Sequence, residues 1–214
     1  MTNAQLDSFG YGNIDKLFAK LFNQVVSKKR EDKVDYIRII EVGSFKGRST
    51  LVIGKACQNA KTLYNINCEI ICVDTWLGSP EHYEELSQDF MGKNEFLNFY
   101  TTFLKNMVLS GLNHMVHTLR LPSAAAAHVL HCFKIDADII YIDADHDYES
   151  VLRDVRLYYS LLKKNGIIFG DDYTPSWSAV MYAVDDFMKE MQLKATINDG
   201  RWYTQKTEGD SQFL

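Results

Sequence analysis

Two acidic runs could do chemistry together. Tyr141-Ile142-Asp143-Ala144-Asp145-His146-Asp147-Tyr148 closes one apolar stretch, and Gly170-Asp171-Asp172-Tyr173 closes the next, with 28 residues between Asp143 and Asp171. That interval suits one strand–helix–strand unit. If the two strands are neighbours, about 4.8 Å apart, the aspartates sit side by side. Carboxylates about 4 Å apart repel by roughly 4 kcal/mol at an effective dielectric near 20. Such a cluster is relieved by protonation, by turning into water, or by a cation. Carboxylate oxygens suit magnesium, calcium or manganese. Asp171 and Asp172 are consecutive, so both reach one ion only if the strand breaks, and Gly170 would permit that break. The competing reading is a solvated acidic rim, eased by the positive end of a helix starting near Tyr148. His146, beside these carboxylates, could act as a base or be a surface residue without a role.

A second constellation lies earlier. The run Glu41-Val42-Gly43-Ser44-Phe45-Lys46-Gly47-Arg48-Ser49 follows an apolar stretch and precedes a helical one. Glycines in such a turn allow tight backbone geometry and close ligand approach. A dinucleotide turn requires a glycine where Phe45 stands, because the pyrophosphate must touch backbone there. A phosphate loop requires one more residue, and a lysine where Arg48 stands. Both phosphate readings fail on these residues. A cofactor without a phosphate between its parts, such as S-adenosylmethionine, stays open, as does a purely structural turn. Asp74 ends the next apolar run, 31 residues beyond Gly43. A carboxylate there can accept both hydroxyls of a ribose lying across a sheet crevice.

The elements that must position these groups alternate along the chain. Ile14, Leu17, Phe18, Leu21 and Val25 recur at helical spacing, before the charged connector Lys28–Lys33. Strands are expected at Tyr36–Val42, Glu69–Val73, Met115–Arg120, Ala137–Ile142 and Ile167–Gly170. Helices are expected after Gly47, capped by the hydroxyl of Ser49 or Thr50, over Ala124–Cys132, from Tyr148 to a stop at Asn165-Gly166, and over Val180–Met191. Asp199-Gly200 between Lys194–Ile197 and Arg201–Gln205 reads as a hairpin. The stretch Thr75–Gly111 lacks strand character and carries Tyr83, Phe90, Phe96, Phe99, Tyr100 and Phe103. It reads as two helices covering an acceptor pocket, or packing on a second copy of the chain in a homodimer. Alternation of this kind predicts an α/β fold: a sheet wound on both faces, with one antiparallel strand from the hairpin near its edge. Ligands in such sheets bind beyond the carboxyl ends of the strands, where the winding reverses.

Composition narrows the function classes. The chain has 214 residues, 46% hydrophobic and 24% charged, so it is long enough for one folded domain and is not a disordered segment. A net charge of −5 without a basic stripe argues against a nucleic-acid partner. No apolar run approaches the roughly 20 residues that span a bilayer, and the opening MTNAQLDSFG lacks the order of a signal peptide. Cys57, Cys68, Cys72 and Cys132 form no metal-binding or redox pair and read as small hydrophobes in a reducing, cytoplasmic setting.

In these motifs the sequence resembles the class I S-adenosylmethionine-dependent methyltransferases, and within them the metal-dependent small-molecule O-methyltransferases of the macrocin and caffeoyl-CoA types. The residues carrying the resemblance are the turn from Glu41 to Ser49, Asp74, YIDAD at 141–145 and GDDY at 170–173, within about residues 36 to 190. The resemblance implies a Rossmann-like, three-layer fold around a seven-stranded sheet with a reversed last strand. Residues 1–35 would form an N-terminal helical segment. Residues 36–214 would form the catalytic domain, with 75–111 inserted in it.

It also implies roles. Glu41, Gly43 and Gly47 would shape the methionine pocket, with Ser44, Phe45 and Ser49 of the same turn on the cofactor. Asp74 would take the ribose hydroxyls, flanked by Thr75 and Trp76. Ser123 would lie near the adenine. Asp143, beside the cofactor, would join Asp171 and Asp172 in holding a divalent cation, with magnesium expected and manganese or calcium as alternatives. Asp145 or His146 would take the proton of a small-molecule hydroxyl, on a sugar or catechol-like diol. The caffeoyl-CoA type usually has Asn where Asp172 stands, and the inserted segment matches neither type well. Two other classes stay open: a nucleotide-binding enzyme on the same kind of sheet, and a methyltransferase-like fold that binds without catalysing.

Overall fold

The computed structural model describes residues 14–78 and 99–207. In chain order these hold α1 (Asp15–Glu31), β1 (Tyr36–Val42), α2 (Arg48–Tyr64), β2 (Asn67–Asp74), α3 (Phe99–Leu109), β3 (Val116–Arg120), α4 (Ser123–Cys132), β4 (Ala137–Ile142), α5 (Tyr148–Ser160), β5 (Leu162–Gly170), a 3-10 turn (Pro175–Trp177), α6 (Ser178–Glu190), β6 (Thr196–Asn198) and β7 (Arg201–Gln205).

The seven strands form one sheet in the order β3-β2-β1-β4-β5-β7-β6. The pairings β1·β2, β1·β4, β2·β3 and β4·β5 are parallel, whereas β7 runs antiparallel to both β5 and β6. The expected seven-stranded sheet with one reversed strand is therefore present, and the winding reverses between β1 and β4. The hairpin turn at Asp199 and Gly200 has φ of 51° and 73°, the left-handed pair that a two-residue connection requires.

The central strands are buried on both faces, so they read as near-continuous apolar runs. Side chains alternate across the sheet with period two. Ile37, Ile39, Ile70, Cys72, Ile139, Tyr141, Ile167 and Phe169 face one core with residues of α1, α2 and α3. Ile40, Val42, Ile71, Val73, Ile140, Ile142 and Ile168 face the other, with residues of α4, α5 and α6. The three-layer architecture follows. Leu17, Phe18 and Leu21 of α1 are buried in the same core as Ile37 and Ile39 of β1. This parity has a consequence for function: Glu41, Asp74, Asp143 and Asp171 continue the rows that face α1, α2 and α3.

Several sequence expectations need correction. The helix begun at Tyr148 ends at Ser160, and β5 starts at Leu162 rather than Ile167. Asn165-Gly166 is thus inside a strand, where Asn165, not the glycine, has a positive φ of 63°. Long-range pairing of Ala137 with Leu162, with a register shift before Ile139–Ile167, overrides the polar Lys163-Lys164-Asn165. Neither Ser49 nor Thr50 caps α2: Gly47 is the N-cap, without a side-chain cap bond, and the Thr50 hydroxyl donates instead to Glu41 Oε2. Cys132 is exposed, while Cys57 and Cys72 are buried. Of the two helices expected in Thr75–Gly111, α3 is described, and residues 79–98, with Tyr83, Phe90 and Phe96, lie outside the described residues. Among the described residues, no helix is long and apolar enough to cross a membrane.

Candidate active site at the carboxyl ends of the strands

The turn after β1 is closed from both sides. Gly43 N–H donates to Val73 O of β2 at 2.9 Å, and Asp143 N–H donates to Val42 O at 2.8 Å, so three strand ends are stitched together. Gly43 has φ +92°, and a Cβ there would stand 1.8 Å from Asp143 O. Its glycine identity is therefore required by the approach of the β4 backbone. Gly47, at φ +87°, faces α3: a Cβ would meet Met107 Cε at 2.6 Å and Phe103 Cδ2 at 3.0 Å. A side chain at 47 would therefore pack against α3. Buried Asn106 ties that helix to the turn by donating to Lys46 O at 2.8 Å. Phe45, at φ 42°, packs its ring on Phe99 with centroids 4.8 Å apart.

Glu41 is fully buried. Its Oε2 accepts from the hydroxyls of Ser44 and Thr50, and from the Cys72 thiol. Burial pushes its carboxyl up, and the hydroxyls of Ser49, Thr50 and Ser44 oppose that. Oε1 makes no hydrogen bond of standard geometry, although the Ser49 hydroxyl lies near enough to favour the charged form.

Asp74 is at the end of β2, partly exposed. Its Oδ2 accepts Phe45 N–H at 2.8 Å and its Oδ1 accepts Trp76 N–H at 2.6 Å, so it joins the β1 turn to the β2 turn. Thr75 Oγ1 accepts Leu77 N–H, and Thr75 O accepts Arg120 Nε–H. Trp76 stands beside Asp74 through its backbone bond, with its side chain buried. It is 1% exposed, packed on Tyr100 and Phe103, and its indole N–H donates to Phe45 O at 2.7 Å. Ser123, the first residue of α4, accepts through its carbonyl from the Tyr158 hydroxyl, and its own hydroxyl helps hold Asp154 charged.

The acidic groups after β4 and β5 share a narrow cleft lined by Asp143, Asp145, His146, Asp171, Asp172 and Trp202. Asp143 Oδ2 accepts from the Tyr141 hydroxyl at 2.7 Å. Its carboxyl is pushed up to about 7, chiefly by burial and then by the Asp171 charge. Asp171 N–H still pairs with Ile142 O at 3.3 Å, but the chain then turns at Asp172, whose φ is 60°. The break expected at Gly170 is at Asp172 instead. Gly170 is glycine because a Cβ would stand 2.5 Å from Trp202 Nε1. Asp171 turns to Arg201 of β7, with Oδ2 3.3 Å from Nε. Burial raises its carboxyl, while Arg201 holds it down. Asp172 turns the other way, its Oδ2 3.0 Å from His146 Nε2.

The expected metal residues Asp143, Asp171 and Asp172 all line this cleft. One donor atom each from Asp143, His146 and Asp172 lie within 4.8 Å of one another, and Asp171 is not among them. Asp145 is exposed and accepts His146 N–H through Oδ1 at 2.9 Å. The His146 ring lies on Trp177, with centroids 4.2 Å apart and planes 20° apart. Sequence reasoning missed two groups. Arg201 was visible as the cation next to the hairpin turn, and an acid cluster needs a counter-charge. Tyr141 lies in the same motif as Asp143, two residues before it, and a period of two places both on one face.

A profile described as methyltransferase domain matches residues 40–173. The uncharacterised protein R132 of Acanthamoeba polyphaga mimivirus is 26% identical over 184 residues, covering 85% of this chain and 72% of that protein. Among solved structures, the calicheamicin methyltransferase CalS11 superposes with a TM-score of 0.62 at 15% identity, covering 88% of this chain and 77% of its own. An O-methyltransferase from Bacillus cereus in complex with SAH (S-adenosylhomocysteine) gives 0.55 at 12% identity, covering 92% and 84%. At these identities the structural likeness is one of fold.

Proposed function

The chain belongs to the methyltransferase-domain family, and from that premise we propose that it transfers a methyl group from S-adenosylmethionine to a hydroxyl of a small molecule bearing a diol. The observation that carries this reading is the convergence of Glu41, Asp74, Asp143 and Asp172 at one edge of the sheet, where the winding reverses. All four fall inside the matched span 40–173. Ligands of doubly wound sheets occupy that place. The fold neighbour from B. cereus holding SAH supports the same cofactor.

The sulfonium donor supplies an electrophilic methyl carbon, whose C–S bond breaks as the new C–O bond forms. The residues of this chain then have distinct tasks. Glu41, fully buried behind the β1 turn, offers a carboxyl whose charged form a cationic sulfonium or ammonium would favour. Asp74 offers the ribose side of the crevice a carboxylate, already set by two backbone N–H groups. The cleft residues Asp143, His146 and Asp172 fit a divalent cation, because their donor atoms already lie within 4.8 Å of one another. Such a cation supplies the charge that lowers a bound hydroxyl's pKa. Asp145, exposed at the rim of the same cleft, accepts the hydroxyl proton through a carboxylate oxygen. Holding donor and acceptor in line is the larger part of the rate gain, since positioning converts a two-body reaction into a one-body one.

The test is direct. The purified chain is incubated with methyl-labelled S-adenosylmethionine and a panel of sugar nucleotides, glycosides and catechols, with and without added divalent cation. The expected result is labelled O-methyl product and an equal amount of S-adenosylhomocysteine for one acceptor class. Label appearing only on nitrogen or carbon acceptors would contradict the reading.

A further inference from the structure

Ten residues separate Cys57 from Cys68, an interval that matches no thiol motif. The fold nonetheless brings the two together. Cys57 faces inward from α2 on the row of Ile53 and Ala60. Cys68 stands on β2 in the row of Ile70 and Cys72, since side chains of a strand alternate with period two. α2 packs against β2, so both rows enter one core, with Cys57 1% exposed and Cys68 partly buried at its border. The two side chains are within hydrogen-bonding reach of each other, and that contact, with burial, pushes the Cys57 thiol well above its ordinary range. Neither is in a disulfide. We propose that Cys57 and Cys68 form a dithiol modification site, which a hydroperoxide converts to an intramolecular disulfide joining α2 to β2.

Unequal exposure assigns the roles. Cys68 is the sulfur that a peroxide arriving from solvent reaches. It attacks one oxygen of hydrogen peroxide, the O–O bond breaks, and the departing oxygen leaves as water with the thiol proton. Cys68 is then a sulfenic acid, which condenses with a neighbouring thiol. The Cys57 sulfur attacks that of Cys68, the S–S bond forms and the S–O bond breaks. The hydroxide leaves as water with the Cys57 proton. Two thiols are oxidised, and one peroxide is reduced to two waters. A buried thiol that keeps its proton reacts poorly with peroxide itself, so Cys57 serves as the resolving group. The other two cysteines are placed differently. Cys132 is exposed on α4, and the buried Cys72 thiol donates to Glu41. The same α2 carries Thr50, bonded to Glu41, and the same β2 ends at Asp74. A 57–68 bond therefore braces the two elements behind the candidate site. In a reducing setting such a bond is transient, and thiol exchange restores the pair.

Oxidation of the full chain tests this without reference to turnover. The chain is reduced, freed of reductant and treated with hydrogen peroxide under native conditions, then alkylated and digested with trypsin. Lys61 lies between the two cysteines, so cleavage there leaves them on separate peptides held only by the new bond. Fragment spectra distinguish Cys68 from Cys72 on their shared peptide. The expected result is a 57–68 link within one chain, at least tenfold more abundant than any other cysteine pairing and reversed by dithiothreitol. The same oxidation in urea should lose that preference. Cys57→Ala should leave at least fivefold more Cys68 sulfenic acid for dimedone to trap, and Cys68→Ala should leave Cys57 unoxidised, with thermal melts confirming that each variant is folded. A folded wild-type chain that forms no 57–68 link, or forms it no more selectively than in urea, would overturn the inference. So would preferential pairing through Cys132 between chains, or oxidation of Cys57 in folded Cys68→Ala at the wild-type rate.

Discussion

The Arg201 guanidinium stands 3.3 Å from the Asp171 carboxylate, both side chains 13% exposed, and this pair gives one of the aspartates lining the cleft a counter-charge from within the chain. The antiparallel pairing of Gly170 with Trp202 brings Arg201 there. Removing one partner from a shielded pair leaves the other charge without compensation. Arg201→Met should therefore cost about 2 kcal/mol in urea unfolding, below the figure for full burial because some solvent reaches the pair. The double variant Asp171→Asn/Arg201→Met should recover at least half of that. Additive losses in the cycle would show that the two residues do not interact.

Gly43 makes a sharper prediction. A Cβ at that position would lie 1.8 Å from Asp143 O, with φ at +92°. Gly43→Ala must shift the β4 end and adopt a strained backbone. It should lose at least about 3 kcal/mol or fail to fold. Gly111 supplies the control, since it has φ +66° but nothing within 4 Å of its Cβ position. Gly111→Ala should cost about 1 kcal/mol, from the backbone alone. Equal losses at the two sites, read by chemical denaturation, would contradict the close approach.

Asp143 gives a pH dependence with a defined sign. Its folded carboxyl titrates at about 7, above the roughly 3.9 of an unfolded aspartate. The folded state thus holds the proton more tightly. The associated stability is fully present below about pH 4 and is lost as pH rises through 7. In chelator, Asp143→Asn cannot ionise and should gain on wild type between pH 4 and 7, then level off. The gain above pH 7 should be on the order of 2 kcal/mol, discounted because the residue keeps some solvent contact. Paired melts at pH 4.5 and 8 measure it. A larger advantage for Asp143→Asn at the lower pH would contradict the assignment.

These relationships show why the fold was more legible than the site. Tyr36–Val42 and Ala137–Ile142 are strands to the residue as read, because burial on both faces leaves an apolar run bounded by polar residues. The first half of β5 was missed because Lys163-Lys164-Asn165 carry no local strand signal, and partners distant in sequence impose the conformation. The spacing of Gly43, Asp74, Asp143 and Asp171 placed them at strand ends, since a period of two and parallel register determine that much. What each aspartate touches depends on turns of one residue. The positive φ at Asp172, rather than at Gly170, sends Asp172 to His146 and Asp171 to Arg201. Repulsion among the carboxylates was legible, but not that a cation of the chain's own, 30 positions after Asp171 at Arg201, would relieve part of it.

The central claim, a cofactor site over the ends of β1 and β2, is tested most directly by calorimetric titration of the folded chain with S-adenosylhomocysteine. Gly47→Val is a poor probe for it, because the added side chain would first meet Met107 and Phe103. Asp74→Asn is the better variant, since it keeps the side chain's size and removes its charge. The account predicts a micromolar Kd for the wild-type chain, about −8 kcal/mol, and binding at least tenfold weaker for Asp74→Asn. No binding by the folded wild-type chain at about 1 mM ligand, near −4 kcal/mol, would contradict it.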